Sequence, residues 1–172
     1  GNAAYSTSMN YIQAASGDGH IYFTDGLDYF TYSAKDNDVV PLLSTNLGEI
    51  PKRSRLMEFW RNRLVVARSD RLPGSWHMSR GGDVGDWDQF PQTPDTHQAV
   101  SGVTSPAGQC PDSINAIVPY TDDVLWFGCD SSIWQLTGEP TSATFDMVTD
   151  EVGMSFGRPF CSEDAGRLWF FG

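Results

Sequence analysis

Ile114-Asn115-Ala116-Ile117-Val118-Pro119-Tyr120, Val124-Leu125-Trp126-Phe127-Gly128 and Ile133-Trp134-Gln135-Leu136-Thr137 follow one another closely. Only Thr121-Asp122-Asp123 and Cys129-Asp130-Ser131-Ser132 stand between them. The runs have the length of strands, are rich in β-branched and aromatic residues, and are too short for helices. The gaps hold Asp and Ser, whose side chains bond nearby backbone N–H groups and so favour turns. Gly138-Glu139-Pro140 then leads to a fourth run, Ala143–Val148. Four short strands with hairpin connections in 35 residues have the form of one β-propeller blade.

Working outward, the same plan fits two earlier stretches. Tyr11–Ala15, Gly19–Thr24, Leu27–Ser33 and Val39–Leu43 make one unit; Arg55–Trp60, Arg63–Arg68, Ser75–Ser79 and a short strand at Trp87–Phe90 make another. The second strands align best: Ile21 to Leu64 is 43 residues, Leu64 to Leu125 is 61, and Leu125 to Leu168 is 43 again. Such spacing marks an array whose units bury their second faces by stacking. The longer gap holds an insertion, and Pro91–Pro111, rich in Pro, Thr, Ser, Gly and Gln, reads as a surface loop. The expectation is therefore an all-β chain of antiparallel blades. Residues 1–50 and 51–90 form the first two units, 91–111 the insertion loop, 112–155 a third unit and 156–172 the start of a fourth. A fourth unit that ends on an open strand edge implies an incomplete propeller within a longer protein. The alternative is a β-sandwich, which needs no closure.

Composition limits the function. The chain has 172 residues, 40% of them hydrophobic, so it can bury a core. No apolar run reaches the roughly 18 residues of a membrane helix, so no membrane insertion by this segment is expected. Gly1–Ser8 carries neither a basic region nor an apolar run and does not read as a secretory signal. Formal charge is −11, but Lys52–Arg80 holds eight basic residues against Glu58 and Asp70, a net of +6 that leaves −17 elsewhere. An acidic surface repels phosphate and does not adsorb nucleic acid. The basic unit reads as a solvated face or as a subunit contact through Arg61 and Arg63. Cys110, Cys129 and Cys161 form no CxxC pair and read as free thiols of a reducing cytoplasm.

No motif assembles a catalytic, cofactor or metal site. Asp83, Asp86 and Asp88 lie within Gly81–Asp88, an oxygen-rich loop that hard cations favour. Asx turns account for Asp beside Gly equally well, and the order of residues is not that of an EF-hand. His20, His77 and His97 are isolated, and the first two fall in strands, where a hydrogen-bonded structural role is expected. Ser69-Asp70-Arg71-Leu72-Pro73-Gly74-Ser75-Trp76 resembles the Asp-box of sialidases and related propellers, with Asp and Gly out of register. That resemblance implies a hairpin stabiliser. A sialidase's three converging arginines are singled out by no spacing here, and fold alone does not warrant an activity.

Two stretches carry a further resemblance. Arg61–Ser69 followed by Trp76–Trp87 is similar to a pattern of bacteriophage tail proteins: Arg-Leu and an apolar strand, then an aromatic, Ser, Gly-Asp and a second aromatic. Asp112–Pro119, Asp123–Gly128, Ile133–Gly138, Gly157-Arg158-Pro159 and Arg167–Phe170 continue it. Over about residues 55–172 the chain resembles the nozzle (tail tubular protein B) and tail-stabilisation group of short-tailed phages. The resemblance implies a non-enzymatic virion component assembled in the host cytoplasm. Its expected partners are other copies in a ring, neighbouring tail and portal-adaptor proteins, and double-stranded DNA that passes through without sequence-specific binding. A glycan- or receptor-binding β module, acting through Pro91–Pro111 and exposed aromatics, is the alternative.

Overall fold

A computed structural model describes residues 11–45, 48–106, 109–163 and 166–172, and the reading of Gly1–Ser8 lies outside them. Among the described residues every regular element is a strand. Strands β1 (Gln13–Gly17), β2 (His20–Thr24), β3 (Tyr29–Ser33) and β4 (Asp38–Pro41) form one antiparallel sheet in chain order. β5 (Ser54–Trp60), β6 (Arg63–Ser69), β7 (Ser75–Met78) and β8 (Val100–Val103) form the second. β9 (Ile114–Thr121), β10 (Val124–Cys129), β11 (Ile133–Thr137) and β12 (Thr144–Thr149) form the third. A fourth unit pairs β13 (Phe160–Ser162) with β14 (Leu168–Phe170).

Local chemistry sets the hairpins. Gly17 pairs with His20 and Trp60 with Arg63, each across a two-residue turn. Asp18, Gly19, Arg61 and Asn62 all have positive φ. Positive φ at both central residues is the turn whose twist matches that of the flanking strands. Asp-Gly adopts it readily. Arg61 does so less easily, and its side chain is anchored as described below.

The sheets stack as blades. Met57, Leu64 and Val66 on one face of the second blade meet Ala15, Tyr22, Tyr29 and Leu42 of the first. Leu56, Val65, Ala67, Trp76 and Met78 on its other face meet Ile117, Leu125, Phe127 and Trp134 of the third. The Trp76 and Phe127 rings stack at 5.3 Å. Ala116, Val118 and Ile133 on the far face of the third blade pack against Phe160, Leu168 and Phe170. A two-layer sandwich buries one face of each sheet, whereas here the second blade is buried on both, so the propeller arrangement holds. Inner strands β1, β5 and β9 lie side by side.

One strand falls elsewhere than expected. The fourth strand of the second blade is β8, pairing Met78 with Val100 and Ser75 with Val103, inside the stretch read as a loop. Trp87–Phe90 is not a strand. Asp86 and Asp88 accept N–H bonds from Asp88 and Phe90, a chain of local turns that competes with pairing. The inserted residues thus stand between the third and fourth strands of this blade.

Candidate functional site at the mouth of the inner strands

The first residues of β1 and β9, the last of β6 and the segment before β13 converge on one face of the blade array. Tyr11 donates its hydroxyl to Gln13 Oε1 (3.2 Å) and stacks obliquely on Phe156 at 4.9 Å. The other neighbour of Phe156 is Arg68, whose guanidinium lies 5.0 Å from the ring centroid. Arg68 donates to Ile114 O (2.9 Å) and to the Asn115 side chain. Asn115 in turn donates to Asp130 Oδ1 (2.7 Å) and Met154 O (2.9 Å). From the middle of β5, Glu58 accepts from Arg158 Nη2 at 2.5 Å. Gly157 N donates to Asn115 O (2.9 Å), which fastens the segment bearing Phe156 and Arg158 to β9.

The electrostatics are uneven. Burial pushes the Glu58 carboxyl above its usual range, and the Arg158 guanidinium opposes that shift. Tyr11 is pushed up by burial and drawn back by the same arginine. Among the described residues Arg68 has no carboxylate within salt-bridge distance. Gln13 is 3% exposed, and among the described residues its Nε2 has no acceptor. Arg68 also holds φ at +59°, a left-handed backbone that non-glycine residues seldom adopt. The mouth therefore offers donors and a part-buried cation.

The residues singled out from sequence fall elsewhere. Asp83 and Asp86 accept N–H bonds from Gly85 and Asp88, so these carboxylates turn back on their own loop. Among the described residues no three His, Cys, Asp or Glu converge as metal ligands. Of the basic unit read as a solvated face or a subunit contact, Arg61 and Arg63 make hydrogen bonds within the chain. Arg63 is 1% exposed and donates to Ser79 O, Gln98 O and Thr96 O. Arg61 reaches Asp123, Gly138 O and Glu139 of the third blade. The Asp-box-like stretch is the β6–β7 connection, but Ser69 Oγ, not Asp70, accepts the Leu72 N–H. Asp70 pairs with Arg55 (3.0 Å). His20 Nδ1 lies 2.7 Å from Asp18 O, whereas among the described residues the buried Nδ1 of His77 has no partner, and burial lowers the His77 pKa. Cys110 and Cys161 are exposed; Cys129 is buried and its thiol is pushed up to about 12.

Sequence reasoning missed the mouth. Its one local signal was Glu58, a carboxylate inside the apolar run Leu56-Met57-Glu58-Phe59-Trp60. A separate groove of about 810 Å³ lies on the outer part of the first blade, lined by Leu27, Tyr29, Leu42 and Lys52 among others. Among the described residues no helix is long and apolar enough to cross a membrane.

The geometry defines the class: a multi-bladed antiparallel propeller array with a polar mouth at its inner strands. No family model matches the chain, and no curated protein matches it. Among solved structures it is similar to the β-propeller YCF48 bound to D1 peptide, with a TM-score of 0.53 and 12% identity. The match covers 80% of this chain and 39% of that one, so the chain spans about two fifths of the propeller it matches. A likeness at this identity concerns the fold.

Proposed function

We propose that the chain is a structural, non-enzymatic part of a bacteriophage tail, a nozzle-like component of the conduit that retains and releases DNA. One observation carries the reading. The residues of the phage-tail pattern are knotted together, as a family's scaffold signature would be. Arg63 donates to Ser79 O, Leu64 and Ser79 exchange bonds through Leu64 N to Ser79 Oγ and Ser79 N to Leu64 O, and Gly82 N donates to Asn62 O. Arg80 N donates to Asp86 O, and the Trp87 indole donates to Val84 O. The pattern thus supports a shared blade architecture, and the acidic remainder suits a surface that DNA passes without adhering. Negative-stain imaging and intact-mass measurement of the native particle test this. Ring-shaped assemblies on virions are expected; a monodisperse 19.0 kDa monomer with cooperative unfolding would overturn it.

The polar mouth favours a second reading, a binding module. The propeller to which the chain is similar was solved with a peptide. Binding of a peptide or glycan by an isolated, monomeric chain would move this reading ahead.

A further inference from the structure

We propose that the mouth bounded by Tyr11, Gln13, Arg68, Phe156 and Arg158 is a binding site for a carboxylate. The inference does not depend on the tail reading.

Three observations point the same way. Arg68 is held in a left-handed backbone conformation at φ +59°, and such outliers persist where the surroundings over-determine them and cluster at binding sites. Its Nη1 is anchored on Ile114 O and Asn115, while no carboxylate among the described residues neutralises the charge. A guanidinium fixed at one nitrogen presents its remaining donors in a set direction, and their fork matches a carboxylate. Second, among the described residues the Nε2 of Gln13 is a buried donor without an acceptor, on the amide whose Oε1 Tyr11 engages. Buried amides are nearly always paired, so a missing acceptor at this place is informative. Third, Phe156 stands 42% exposed between Tyr11 and Arg68 and gives the mouth an apolar wall. Arg158, paired with Glu58 through Nη2 and 48% exposed at its side chain, stands at the rim.

The ligand is small in its recognised part: one carboxylate on the Arg68 guanidinium. A DNA duplex fits less well, because the rest of the chain is strongly acidic and repels a polyanion. The carboxylate can be free or can be presented on an acidic peptide, and the test separates the two.

The 172-residue chain is titrated at low salt with sodium acetate, with acetyl-Glu-Phe-Glu-amide and with acetyl-Gln-Phe-Gln-amide, followed by NMR at Gln13, Arg68 and Phe156. The acidic peptide is expected to bind at least about tenfold more tightly than its amide counterpart, as for charge-assisted against neutral bonds. If acetate gives the same shifts and competes with the peptide, the ligand is a free carboxylate; if only the peptide does so, the carboxylate is presented by a chain. Both outcomes support the site. Equal binding of the two peptides, or no shift at these residues with any probe, overturns it. Arg68→Gln should weaken binding about tenfold or more. Gln13→Leu, which leaves Arg68 and its anchors in place, should weaken it several-fold and decides the matter if Arg68→Gln does not fold. Arg71→Gln, on the exposed β6–β7 connection, should leave affinity unchanged; a loss equal to that of Arg68→Gln would overturn the site in favour of diffuse attraction.

Discussion

Arg63 is a guanidinium in a blade core, 1% exposed, and three backbone carbonyls depend on it. Removing a buried charged donor leaves its acceptors without partners, which costs far more than an exposed pair contributes. Arg63→Ala is therefore expected to lower unfolding stability by about 3–5 kcal/mol in urea titration. Arg61→Ala should lower it by about 1 kcal/mol or less, since its carboxylate partners are exposed. Glu58 gives a pH test. Its folded-state pKa lies above 4.5, so across that window the folded chain binds more protons than the unfolded one. Stability then falls as pH rises through the window, because charging Glu58 opposes folding. The stability difference between Glu58→Gln and the parent should move in favour of Glu58→Gln as pH rises above about 4.5, and flat parallel curves would contradict this. The individual residues of the mouth could not be read beforehand. Glu58 and Arg158 are 100 positions apart, and no periodicity links a strand carboxylate to an arginine in a connecting segment.

Close packing within blades sets the next scale. An added Cβ at Gly102 would lie 2.4 Å from the Trp76 ring, which is itself stacked on Phe127 of the next blade. Gly102→Ala must displace that indole or bend β8, and overpacking of this kind typically costs about 1–3 kcal/mol. Chemical denaturation should show the loss together with a changed tryptophan emission. Strands of the first and third blades were legible because alternating apolar runs and turn residues agreed, as at Asp18-Gly19. β8 was not. Val100-Ser101-Gly102-Val103 has no aromatic residue, and its glycine reads as a turn until the indole above it is seen. Trp87–Phe90 misled for the opposite reason. Its aromatic residues suggested a strand, but Asx turns hold its backbone and Phe90 is 90% exposed.

Across the whole molecule, stability is graded along the stack. The second blade is covered on both faces, whereas the exposed Ile21 and Val40 stand on the first blade and Trp169 on the two-stranded unit. Units held mainly by their neighbours open from the ends inward. Amide hydrogen exchange should therefore be slowest in β5, β6, β9 and β10, and faster in β4 and β14. Uniform protection across all four units would contradict this order. The blade class was readable from spacing because stacking units must repeat. Their closeness at the mouth was not, since it arises only after separate blades are set around a common centre.

Gly157 on β9 and Arg158 on Glu58 act as a cross-tie. They bind the segment ahead of the fourth unit to β5, two blades back. A simple stack transmits a disturbance only from one unit to the next. With the tie in place, a push on the fourth unit reaches the second directly, and the array behaves more like a braced frame than a row of cards.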